Sequence, residues 1–299
     1  MKNVGFLGSG FALYGYLKYF SFKKCNLYTL EKYKTIIKKR SDLNIIYSKI
    51  IFKKNDKELL DHCNEVVVAR RPIDQEKFIK YILKKKINLK KYYFEKPLCS
   101  NPKKSLKILY KLKKNKFNFN IGYLFFYTEF YKKIIRTCKH NINVNWEFMS
   151  YDLKKNKTSW KFNLSKGGGP LRFYGIHLIA ILSKKYKKFA NISSEITFKK
   201  NIPIRWKCNI LTSSKKKIEI SINTFSKKNK FTILSGNKSL YNSSSPFSNY
   251  QKYRKKDYRI KYIDYMISDL RKKNNYKIYK DSMTLWKKIE DKTKFHYEM

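Results

Sequence analysis

Glycine and proline are scarce in this chain, 10 and 6 among 299 residues. That excludes a collagen-like or low-complexity protein, and it makes each cluster of glycines stand out. Acidic residues are few as well, 21 against 70 Lys and Arg, which leaves a net charge of +49. The five cysteines (Cys25, Cys63, Cys99, Cys138 and Cys208) are odd in number, far apart and never in a C-x-x-C pair. This spacing argues against a disulfide framework or a zinc site and for reduced thiols in a cytoplasmic protein. No apolar run reaches membrane-spanning length, the longest near the middle being Gly175 to Ser183. The uncharged run from Asn3 to Leu17 is broken by glycines, and no small-x-small cleavage site follows it. It reads as strand, turn and helix, and a signal peptide is not expected.

What the chain does have is apolar and aromatic material, 42% and 17% of residues, enough for a globular core despite the charge. Its lysines form short clusters from end to end, among them Lys38-Lys39-Arg40, Lys84-Lys85-Lys86, Lys215-Lys216-Lys217 and Lys255-Lys256. A nucleic-acid module gathers its basic residues on one helix or tail, and no helix-turn-helix, RNP or zinc pattern is present, so no specific nucleic acid is expected. Richness in Asn, Ile, Tyr and Phe with little Ala fits an AT-biased genome as the source of the charge. Non-specific polyanion binding stands beside that reading.

The first third alternates short β-branched or aromatic runs with longer amphipathic ones. Strands are expected at Asn3–Leu7, Asn26–Leu30, Lys49–Phe52, Glu65–Ala69 and Lys91–Phe94. The helices between them are Phe11–Phe20, Glu31–Lys39, Asp56–Cys63, Asp74–Lys86 and Pro102–Asn115. Asn55 with Glu58 has capping-box spacing, and Asn101 before Pro102 reads as an N-cap. Such alternation predicts a doubly wound parallel sheet, a Rossmann-type domain over residues 1–118. From 119 to 299 the pattern becomes α+β. A strand at Phe119–Phe126, a short helix, a strand at Asn143–Tyr151 and a polar loop at Lys154–Lys166 precede a helix after the glycine triplet. Ile192–Phe198, Arg205–Leu211, Ile218–Thr224 and Phe231–Leu234 predict an open, mostly antiparallel sheet. Helices at Tyr258–Lys272 and Ser282–Lys292 close the chain.

Three segments carry chemistry. Gly8-Ser9-Gly10 follows a strand and opens a helix, the context in which a backbone turn cradles a dinucleotide pyrophosphate. The third small residue of that fingerprint is replaced by Leu13. At the end of the second strand, Glu31 has the position to bind ribose hydroxyls of NAD, whereas Lys32 and Lys34 suit the 2′-phosphate of NADP. A helix-start carboxylate balancing the dipole is a third reading of Glu31, and the sequence does not separate them. Glu95-Lys96-Pro97 ends a strand at the carboxyl edge of the sheet, where Pro97 biases Lys96 to extended geometry and its ammonium can meet a substrate hydroxyl. In Gly167-Gly168-Gly169-Pro170 and the helix after it, Leu171, Gly175, Leu178 and Leu182 form a core face. His177 falls beside that face with Phe173 and Ala180, as an acid/base candidate. His62, His140 and His296 have only structural readings.

These segments jointly resemble the Gfo/Idh/MocA oxidoreductase family, with Ala69-Arg70-Arg71-Pro72 and Gly175-Ile176-His177 completing the match. The resemblance implies a nicotinamide-dependent oxidoreductase with NAD or NADP bound by Gly8, Ser9, Gly10, Phe11, Glu31, Arg70, Arg71, Pro72, Glu95 and Lys96. It implies Lys96 as the residue orienting substrate and nicotinamide and His177 as the general base, with Tyr123, Arg172 and Phe173 also lining the substrate. The implied substrates are sugars, polyols or nucleotide sugars oxidised or reduced at a ring carbon, in carbohydrate or envelope polysaccharide metabolism. Pairing of two copies through the second domain's sheet is implied by the same analogy. The aspartate that such enzymes often carry four residues before the histidine is Phe173 here, and paired arginines replace small polar residues near Ala69. A relative that keeps the cofactor without redox chemistry, with a binding or regulatory role, is the alternative those departures suggest, and a basic nucleic-acid-binding protein ranks last.

Overall fold

The computed structural model describes residues 1–137, 141–155, 159–247, 259–270 and 275–298. Cys138 and His140 lie outside them. Contacts divide the chain into two compact units. Helix Arg259–Leu270 groups with the first unit and residues 100–106 with the second, so a single boundary after residue 118 does not describe the division.

The first unit holds six parallel strands, β1 (Lys2–Leu7), β2 (Cys25–Leu30), β3 (Ile50–Lys53), β4 (Glu65–Val68), β5 (Lys91–Glu95) and β6 (Phe119–Gly122). Their order, β3-β2-β1-β4-β5-β6, is that of a doubly wound dinucleotide-binding sheet. Val4, Phe6, Leu7, Val66, Val67, Val68 and Phe94 are wholly buried, which is why these strands read as continuous apolar runs. Asn55 caps helix Asp56–His62 by accepting from the Glu58 amide at 3.0 Å, and Glu58 accepts from the Lys54 amide. The expected helix over Phe11–Phe20 begins instead as a π-helical turn, Ala12–Leu17, and finishes as Lys18–Phe20.

The second unit holds a seven-stranded sheet in the order β12-β11-β7-β10-β9-β8-β13. Its strands are β7 (Ile142–Met149), β8 (Phe189–Lys199), β9 (Ile202–Thr212), β10 (Lys217–Asn223), β11 (Phe225–Ser235), β12 (Lys238–Ser243) and β13 (Thr293–Glu298). Pairings are antiparallel except β10 with β7 and β13 with β8. Along β9, buried Ile204, Trp206, Cys208 and Ile210 alternate with Lys207 and Asn209, so one face is core and the other polar. Helices Ile176–Lys185 and Tyr276–Asp291 pack together, with Ser183 and Ser282 hydroxyls 3.0 Å apart between them.

Phe119–Phe126 is a strand only as far as Gly122, and Leu124–Tyr127 turns away as a tight 3₁₀ segment with Leu124 and Phe125 in the core. Strand β12 lacks apolar periodicity, and β13, whose exposed Phe295 and Tyr297 alternate with Lys294, His296 and Glu298, follows closely on a helix; neither was expected from the sequence. Among the described residues no helix is long and apolar enough to cross a membrane.

Replacing the cap by Asn55→Ala is expected to lower unfolding stability by about 1 kcal/mol, with Asn55→Asp close to the parent. Urea midpoints test this. Equal stability of all three proteins would contradict the cap.

Candidate active site

In the first unit β1 ends at Gly8, whose φ is +140°. A Cβ there would lie 2.2 Å from the Ala69 carbonyl oxygen, so only glycine lets the ends of β1 and β4 come this close. Ser9 is exposed. Gly10 is different: a Cβ at that residue would meet no protein atom within 4 Å. Its glycine is therefore unneeded for packing and leaves open space at the start of a helix, whose first amides lack intrahelical partners. A pyrophosphate fits this cradle. Leu13 is buried, so the third fingerprint position serves the core. Phe11 lies over Gly15, where a Cβ would be 2.5 Å from the ring, and packs edge-on against Tyr14 and Tyr16.

Around the ends of β2 and β4, Glu31 is exposed and bonded to Lys34 at 2.9 Å. The Gly8 amide meets the buried Tyr33 phenol, whose acidity burial suppresses while Arg70 opposes that shift. Arg70 forms a two-pronged ion pair with Asp56 at 2.7 and 2.5 Å. It is thus committed to a neighbouring carboxylate. Arg71 is half-exposed and pairs with Asp74 at 2.5 Å, and Pro72 opens helix Pro72–Lys84.

The Glu95-Lys96-Pro97 segment is held by residues that the sequence reading did not single out. Gln75, wholly buried, donates its amide to the carbonyls of Glu95, Pro97 and Leu98 at 2.7, 3.3 and 3.1 Å. The Lys96–Pro97 bond is cis. Tyr16, turned into the core by the π-helical turn, donates to Glu95 Oε1 at 2.6 Å, and the Lys96 amide donates to Oε2 at 3.3 Å. Gly122 makes room for that pair, since a Cβ would lie 2.6 Å from Glu95 Oε1 and 2.7 Å from the Tyr16 oxygen. Burial pushes the Glu95 carboxyl up to about 7, against the pull of Lys96, the Tyr16 hydroxyl, the Lys96 amide and Arg259.

In the second unit the glycine triplet leads into a π-helical turn, Pro170–Gly175, and then helix Ile176–Lys185. Leu171, Gly175, Leu178 and Leu182 are core, as expected. His177, placed beside that face by the sequence, is buried too, as is every residue from Ile176 to Ser183. Its ring stacks on Phe125 at 4.3 Å and 12° and meets Tyr123 edge-on at 6.3 Å. Tyr123 is itself 2% exposed, and burial drives its phenol acidity down.

Two residues expected at a substrate, Arg172 and Phe173, have partners within the second unit. Arg172 clasps Glu290 at 2.7 and 2.8 Å and donates to the carbonyls of Ser100 and Leu164. Glu290 Oε1 also accepts from the Trp286 indole at 2.8 Å. Phe173 stands edge-on to Trp160 and Tyr174, and Tyr174 packs on Trp146 and Phe148. These aromatic rings form one cluster around Phe173. His62 bonds Lys53 and the Glu58 carbonyl, and His296 lies 3.6 Å from Glu195, the structural roles expected of them.

No family model matches the sequence, and no curated protein does. Solved structures do match over nearly the whole chain. GenD2 from gentamicin A biosynthesis, in complex with NAD, has a TM-score of 0.74 at 12% identity, over 97% of this chain and 93% of its own. The WlbA dehydrogenase from Bordetella pertussis, in complex with NADH and UDP-GlcNAcA, gives 0.74 at 11% identity, over 97% and 95%. The super-repressor mutant of Gal80p from Saccharomyces cerevisiae gives 0.69 at 11% identity, over 97% and 94%.

For Glu95 the linkage sign is fixed by a carboxyl that keeps its proton to about pH 7 when folded and loses it near 4.5 when unfolded. Its contribution is whole below the lower value and falls as pH rises through that window. Relative to the parent, Glu95→Gln is expected to gain stability between about pH 5 and about pH 8. A stability difference constant across that range would contradict the assignment. Over nearly its whole length, then, the chain has the fold of these solved structures, among them NAD- and NADH-bound dehydrogenases.

Proposed function

We propose that the chain is an NAD(P)-dependent oxidoreductase acting at a CH–OH ring carbon of a sugar, polyol or nucleotide sugar. The observation that carries this reading is the open cradle at Gly10, in a doubly wound sheet whose β5 ends in Glu95-Lys96. Gly8, Ser9, Gly10 and Phe11 would hold the pyrophosphate on the helix N-terminus, and Glu31 lies where ribose hydroxyls bind. When bound, the nicotinamide supplies a hydride acceptor or donor at its C4. Lys96 then orients the substrate hydroxyl and stabilises negative charge on its oxygen, and His177 exchanges the hydroxyl proton. Buried Glu95, gripped by Tyr16, and Gln75, gripping the loop carbonyls, fix where Lys96 begins. The nucleotide-sugar class is supported by the WlbA enzymes, crystallised with UDP-GlcNAcA. Carbohydrate or envelope polysaccharide synthesis is the setting, with a second copy pairing on the polar face of the second sheet.

A second reading, a cofactor-binding protein without redox chemistry, draws on Phe173 in its aromatic cluster and on Arg172 closed by Glu290. Gal80p, a repressor of the same fold, supports it.

Titration with NADH and NADPH, followed by nicotinamide fluorescence, tests the cofactor. Lys96→Ala and His177→Ala are expected to abolish turnover across a panel of sugars and nucleotide sugars, with His177→Ala leaving NADH binding within about twofold of the parent. Unimpaired turnover by both variants would contradict the roles. Binding without turnover by the parent on every substrate would favour the second reading.

A further inference from the structure

The first unit contains a cation that none of the glycine, E-K-P or arginine segments includes. Helix Arg259–Leu270 follows the second sheet in the chain yet belongs to the first unit. Tyr262, Ile263, Met266 and Ile267 are buried, at the three- and four-residue steps of one helical stripe. Arg259 extends that stripe by a turn, which directs its side chain into the unit. Asp264 fixes the helix in place, accepting from the Tyr19 hydroxyl at 2.8 Å and pairing with Lys23 at 3.0 Å.

The result is specific. The Arg259 guanidinium carbon lies 5.1 Å from the ring centre of Phe11 and 5.1 Å from that of Tyr14. Phe11 is the residue after Gly10, where the missing side chain leaves open space. The same positive charge reaches buried Glu95 and helps to draw its carboxyl downward. A guanidinium gripped by two aromatic faces has lost much of its rotamer freedom before any ligand arrives, and its planar fork suits a phosphate. The many surface lysines attract anions only diffusely, and salt screens them.

We infer that Arg259 is a diphosphate-binding residue of the glycine turn, held by Phe11 and Tyr14 so that its fork meets the bridging phosphates of a dinucleotide. This rests on the dinucleotide reading of the turn and adds a residue to it from the far end of the chain. It supplies charge where Leu13 replaces the third small residue of the fingerprint. It also gives Phe11 a use besides covering Gly15.

The test is NADH binding by fluorescence, with ADP and adenosine as competitors, for the parent, Arg259→Met and Arg259→Lys. Arg40→Met is the control, since the Arg40 guanidinium lies on the Tyr14 ring at 5.2 Å while paired with Asp42. Loss of a charge-assisted phosphate contact weakens binding about tenfold or more. Arg259→Met is therefore expected to raise the NADH and ADP dissociation constants at least tenfold and leave adenosine unchanged. Arg259→Lys should fall between, and it also decides the matter if the methionine variant does not fold. Unchanged NADH binding by a folded Arg259 variant would overturn the inference. So would equal weakening of ADP and adenosine, or an equal effect of Arg40→Met, since either would mark a packing role. Failure of the parent to bind any nicotinamide nucleotide would remove the dinucleotide reading itself, and the role of Arg259 with it.

Discussion

The first unit depends on a backbone approach that only glycine permits, the contact between Gly8 and the Ala69 carbonyl. It fixes where β1 stops and therefore where the next helix begins. From that start, the π-helical turn sets the phase that buries Leu13 and sends the Tyr16 hydroxyl to Glu95. Glu95 can sit there because Gly122, at the end of β6, has no side chain to obstruct it. The glycine turn and the E-K-P segment are thus two ends of one chain of contacts through the core. A buried carboxyl with one short phenol bond and one amide is costly unless its partners are kept, so these residues act together. Both π-helical turns among the described residues adjoin a motif singled out in the sequence, one after Gly10 and one before His177, a placement such turns often have.

The two units differ in how they restrain their polar groups. In the first, Glu95, Gln75 and Arg70 hold backbone and ion-pair partners around a turn that remains open at Gly10. In the second, Arg172 is closed on Glu290 and two carbonyls, and Phe173 is packed among aromatics.

Much of the first unit was legible because buried parallel strands must be apolar on both faces and because Asn55 with Glu58 carries a local capping signal. Strands β12 and β13 were not: β12 has no apolar alternation beside its hairpin neighbour β11, and β13 is a short run after a helix whose partner β8 lies far back in the chain. Tyr16, Gln75 and Gly122 were also missed. Each acts through contacts with residues twenty or more positions away in sequence, which no window of local pattern contains. Arg259 had a weak signal, an arginine one turn before an apolar stripe, hidden among 70 basic residues. His177, expected beside the core face, is buried like its neighbours, and in a helix apolar all round periodicity does not tell one side from another.

The most direct measurement exploits the contrast between the two glycines of the turn. Gly10 has no positive φ and no near neighbour, so Gly10→Val should fold with a melting temperature close to the parent. Its side chain would fill the open cradle. NADH fluorescence titration should then show binding lost in a protein that is otherwise intact. Full binding of NADH by a folded Gly10→Val protein would contradict the cradle and the cofactor reading built on it.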